Sequence, residues 1–103
     1  TTVNYTGLVP VCPIITVACP NGTTSVKITN ATTGDYILVS GTLTGTLVID
    51  CDKKFISLEG TKDMSLLDIK SDWITLNRGN NTITVVVTGT AITSITMKYV
   101  VTN

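Results

Sequence analysis

The 103-residue chain has one domain's length, enough to bury a core of its own. Thr, Val and Ile supply 21, 12 and 11 of its residues, and their β-branched side chains suit a pleated sheet, so composition predicts an all-β fold. Seven basic residues balance seven acidic ones and there is no histidine, which argues against a nucleic-acid or anionic-membrane surface and excludes any catalytic set that uses imidazole as its base.

In chain order, residues 1–20 hold all three prolines, which confines them to an edge strand or an extended lead-in. Residues 25–30 alternate, with Val26 and Ile28 on one face, and a polar loop containing Gly34 turns the chain into a strand at 36–39. After the turn at 41–45, residues 46–51 place Leu47, Ile49 and Cys51 on one face. Asp52, Lys53 and Lys54 form a charged corner, and 55–59 returns as the second arm of a hairpin. Residues 60–69 are less regular, with Leu66, Leu67 and Ile69 as apolar anchors, and read as a strand or a single helical turn. The stretch 72–76 runs into a dense turn signal at 77–81. Two long strands follow at 82–88 and 92–101, the second with Ile95, Met97, Tyr99 and Val101 in alternation. The sum is a single antiparallel β-sandwich spanning residues 1–103, with about seven to nine short strands and threonine on the solvent faces.

Cys12, Cys19 and Cys51 are too few and too oddly numbered for a framework that pairs every thiol, so a reduced compartment is the simpler reading. Pro13 and Pro20 directly follow two of them, and a Cys12–Cys19 bridge is disfavoured. Without histidine or a C-x-x-C pair no zinc set can be completed, and no metal or cofactor is expected. The longest apolar runs, such as 13–15 and 85–87, fall far short of the ~20 residues that span a bilayer, so neither a transmembrane helix nor a signal peptide is expected. The chain opens on Thr1 without an initiator methionine, which suggests one domain of a longer protein.

Asp50 and Asp52 bracket Cys51, with Asp63, Asp68 and Asp72 further on. Paired carboxylates serve glycosidases and calcium sites, but this spacing matches no calcium loop, and Lys53 and Lys54 make a solvated charged hairpin the better reading. Trp73 is the single tryptophan and, with Tyr36, a candidate stacking platform for sugar rings; core packing is the commoner role for a lone tryptophan in a small sandwich. The sequons at Asn4, Asn21, Asn30 and Asn80 slightly exceed chance in a chain this rich in threonine and are not read as glycosylation sites. No residue set for catalysis is evident, and an enzyme is not expected.

Three ordered stretches carry a resemblance: ITNATTGDYI at 28–37, LVID at 47–50 leading to FISLEG at 55–60, and SDWITLNRGNNTI at 71–83. Together they resemble the C-terminal domain of distal tail proteins from long-tailed phages and prophages of Gram-positive bacteria, over about residues 5–100. Members often carry proline before the glycine of the last motif and tryptophan in the last strand, where this chain has Arg78 and Tyr99. The resemblance implies a galectin-like sandwich and a structural virion component assembled in the host cytoplasm. Its full-length protein would form a hexameric ring between tail tube and tip or baseplate, and the 103-residue piece alone would be monomeric. Its partners would be other tail or baseplate proteins. Asp50, Trp73, Gly79 and Asn81 are expected to be fold determinants. The other functional class is a carbohydrate-binding module for host cell-wall polysaccharide, with Trp73 or Tyr36 as platform.

Overall fold

The structure, a computed structural model, describes residues 2–68 and 70–102. Among them are nine strands: β1 (Thr2–Tyr5), β2 (Ile14–Cys19), β3 (Thr23–Asn30), β4 (Asp35–Ser40), β5 (Gly45–Asp50), β6 (Phe55–Leu58), β7 (Thr61–Lys62), β8 (Gly79–Gly89) and β9 (Ser94–Lys98), with a 3-10 turn at Met64–Leu66. They form two antiparallel sheets, ordered β1-β8-β3-β4 and β7-β6-β5-β2-β9, packed as a sandwich.

Period-two alternation decides which face each strand buries. Ile28 pairs with Ile37 on one side and Val85 on the other, while in the second sheet Ile15 pairs with Ile49, which also pairs with Ile56. These rows meet in one core with Val17, Val26, Val39 and Leu47. Each such aliphatic side chain contributes about 1.5–3 kcal/mol on full burial. Because one residue of slip would turn each row outward, the same pattern fixes the register.

Three local expectations need correction. Residues 14–19 are neither edge nor lead-in, since β2 lies between β5 and β9. Pro13 and Pro20 bracket this strand and interrupt none of its ladder, so proline's missing N–H is harmless there. The turn signal at 77–81 is shorter than expected, because β8 already pairs with β1 from Gly79 onward. Residues 72–76, ahead of that turn, pass as a loop that buries Ile74 and Leu76, with Leu76 bridged to Val11. The last strand ends at Lys98, and Val100 and Val101 beyond it are exposed. Both alternatives for 60–69 occur, as β7 and the 3-10 turn, while Ile69 lies outside the described residues.

The outer edge of β4 is covered. The Asp68 N–H donates to the Leu38 carbonyl at 2.9 Å and the Asp72 N–H to the Tyr36 carbonyl at 2.8 Å, and between them Ser71 Oγ accepts from the Leu38 N–H at 2.9 Å. Leu67 adds a bridge to Val39. At the other end of this sheet, the buried Asn81 carboxamide closes the approach to β8. Its Nδ2 donates to the carbonyls of Asn77 and Gly79 at 2.8 and 3.1 Å, and its Oδ1 accepts from the Asn77 N–H at 3.0 Å. Gly79 holds φ of 99°, a left-handed value that a side chain would oppose.

Candidate functional site

Tyr36 lies on β4, and Trp73 directly follows Asp72, whose N–H bonds the Tyr36 carbonyl; both side chains are half-buried. Tyr36 lies on the outer side of its strand, opposite the buried Ile37, and the Lys27 ammonium sits 4.6 Å from its ring centroid. That cation uses the negative face a sugar would stack on. Trp73 is half-buried and packs against the core cluster. Lys27, directly before Ile28 in β3, gave no sequence signal beyond its charge; the cross-strand pairing of Thr29, two residues on and on the same face, with Tyr36 brings it alongside.

The carboxylates separate into local turn closures. Asp50 is buried, in contrast to the solvated hairpin expected, because it faces the turn it closes: its Oδ1 accepts from the Lys53 N–H at 2.8 Å. Asp52, Lys53 and Lys54 are exposed as expected. Asp63 accepts from the Ser65 N–H at 3.0 Å and starts the 3-10 turn, and Asp68 accepts from the Lys70 N–H at 2.9 Å. Short acidic side chains commonly close turns in this way. Among the described residues no three metal-capable side chains gather into one cluster.

Cys12, Cys19 and Cys51 are all free thiols, so no bridge joins Cys12 to Cys19. Burial pushes the Cys51 thiol up to about 12, with a backbone hydrogen bond from Ile74 partly opposing it, and burial raises Cys19 as well. Thiols kept protonated by burial are poor nucleophiles and poor metal ligands.

A concave surface lies at one end of the sandwich, a groove of about 320 Å³ whose walls include Pro10, Cys12, Asp52, Lys98 and Tyr99. Beside it the chain's two ends are tied together. Tyr5 is fully buried; its hydroxyl donates to the Val9 carbonyl at 2.5 Å and accepts from the Thr102 N–H at 3.0 Å, and its ring meets Tyr99 edge to face at 5.8 Å. The Val9 N–H also donates to the Thr102 carbonyl at 3.0 Å. This clasp brings Leu8, Val9, Val100 and Val101 together, 65, 46, 75 and 47 % exposed. Sequence reasoning passed over Leu8, Val9 and Val100, which carry no periodic signal, and placed Val101 in the alternation of the last strand. An exposed apolar group of this kind marks a contact surface more often than a catalytic one.

The family model described as siphovirus-type tail component, C-terminal domain, matches residues 6–101. No curated protein and no solved structure matches the chain.

Proposed function

Since the chain belongs to the family of siphovirus-type tail components, C-terminal domain, we propose that it is the outer domain of a distal tail protein, the adaptor between tail tube and tip or baseplate. It acts by docking other tail proteins and not by catalysis. The observation that carries this reading is the family match over nearly the whole chain, in a molecule that exposes the apolar side chains of Leu8, Val9, Val100 and Val101. The dispersed, turn-closing carboxylates and the deeply buried Cys19 and Cys51 support the non-enzymatic part. Neutral overall charge suits contacts made by shape and apolar area.

In this reading the longer protein assembles in the host cytoplasm into a hexameric ring, and the sandwich projects from it. Electron microscopy of the full-length protein, with mass spectrometry of purified particles, tests it. Six-fold rings and a virion-associated product are expected; a full-length protein that stays monomeric and is absent from particles overturns it.

A further inference from the structure

β1 is four residues long and β8 is eleven, and among the described residues this mismatch leaves β8 without a neighbouring strand on one side at Val85 and Val87. The β1 ladder runs antiparallel from the pair Tyr5 and Gly79 to the pair Thr2 and Thr82. On its other side β8 pairs with β3 as far as Gly89. The Thr82 N–H and carbonyl both point toward the β3 side, to Thr32 Oγ1 at 3.0 Å and the Ala31 N–H at 2.8 Å. Backbone groups alternate sides along a strand, so those of Val85 and Val87 point to the β1 side. There, among the described residues, no strand runs beside them.

The same side of the sandwich holds an apolar cavity of about 130 Å³ between the two sheets, lined by Val3, Ile83, Val85, Ile95 and Met97. Ile95 is 38 % exposed although it faces inward from β9, opposite Val17. Sandwich cores are normally closed on such a flank, and an uncovered edge beside apolar side chains invites a further strand.

We propose that the polypeptide preceding Thr2 in the full-length tail component continues β1 along β8 as far as Val87, covering this cavity from the side. The proposal rests on the reading of the chain as the C-terminal domain of a longer protein. Register selects this occupant: in an antiparallel ladder that pairs Thr2 with Thr82, each residue further upstream falls one residue further along β8. The third and fifth residues upstream of Thr2 then face Val85 and Val87 on the core side, in line with Val3. They are apolar, and their side chains close over Ile95 and Met97. The fourth faces Val86 on the outer side, in a non-hydrogen-bonded pair whose close Cα approach suits a disulfide.

The test uses the full-length protein. Val86 is 56 % exposed and tolerates Val86→Cys without repacking. Combined with cysteine at the fourth upstream position, it is expected to form an intramolecular disulfide under mild oxidation, whereas cysteine at the third or fifth position gives little. Proline at the third upstream position removes a ladder N–H and is expected to speed amide exchange at Val85 and Val87 by about tenfold or more, with Val26 unchanged. Cross-linking without position preference, a disulfide only between two copies, or protection that appears only when other tail proteins are added overturns the inference. Because both readouts lie within one polypeptide, they separate it from the ring assembly tested above: rings with unprotected amides sink this inference alone, and protected amides without rings sink only the proposed function.

Discussion

Asn30 Nδ2 lies 3.2 Å from Asn81 Oδ1, and both carboxamides are fully buried. Asn30 Nδ2 also donates to the Thr75 carbonyl at 2.8 Å, while its Oδ1 accepts from the Thr32 N–H at 3.1 Å. With the bonds of Asn81 to residues 77 and 79, this pair fastens the loop 75–81 to the ends of β3 and β8 without a charged group.

Replacing either residue should therefore strand several buried backbone groups at once. Asn81→Leu is expected to cost about 3 kcal/mol and Asn30→Leu about 2, each unsatisfied buried group contributing about 1–3 kcal/mol. The double variant should cost less than the sum, because the two share a network. Urea unfolding of the 103-residue domain measures all three; strictly additive losses would show that the contact carries nothing.

The Tyr5 hydroxyl is the clasp between the chain's ends. Tyr5→Phe keeps the ring and its edge-to-face contact with Tyr99, and should lower stability by about 1–2 kcal/mol through the hydroxyl alone. Amide exchange at Thr102 and Val9 should rise sharply while Ile28 stays protected, a pattern that hydrogen-exchange mass spectrometry resolves.

Cys51 ties stability to alkaline pH. An unfolded thiol ionises near 9.0, but the folded one does so only at about 12, so the protonated form is favoured by folding. This contribution is complete below about pH 9 and is lost as pH rises through the window from 9 to 12, by up to about 1.4 kcal/mol per unit. Unfolding midpoints between pH 8 and 10.5 should fall, and Cys51→Ala, though less stable throughout, should fall less steeply. In the native state a thiol reagent should reach half-buried Cys12 first and leave Cys19 and Cys51 until denaturant is added.

Trp73→Ala should behave as a packing change, costing about 2–3 kcal/mol because the indole is only half-buried. Tyr36→Ala, which removes an outer-face ring and its contact with Lys27, should stay within about 1 kcal/mol. The full-length protein is expected to show no saturable binding to host cell-wall polysaccharide by calorimetry. Saturable binding that either variant abolishes with the fold intact would replace docking with sugar recognition as the domain's work.

The strands were readable where one face is core and the other is water. Val26 with Ile28, Leu47 with Ile49, and Ile83 with Val85 announce their sheets by alternation alone. β2 was not, because prolines at 13 and 20 look the same whether they bracket a strand or break one; only the pairing with β5 and β9 on both sides decides. Asn30 stands in sequence only as the polar end of the strand at 25–30, and its burial depends on Thr75 and Asn81, 45 and 51 residues away in sequence. Asn81 was legible as a structural residue from its place after a glycine turn. The clasp at Tyr5 and the apolar group beside it join residues at opposite ends of the chain, a relation no local window contains.

The cover that Leu67, Asp68, Ser71 and Asp72 lay along β4 has a meaning beyond the single fold. Wherever several copies are held side by side at high local concentration, a bare strand edge would let neighbours anneal into one continuous ribbon and lose their separate identities. With Ser71 and the backbone of Asp68 and Asp72 already occupying that margin, crowded copies cannot anneal through β4, and contacts on that side are made by side chains.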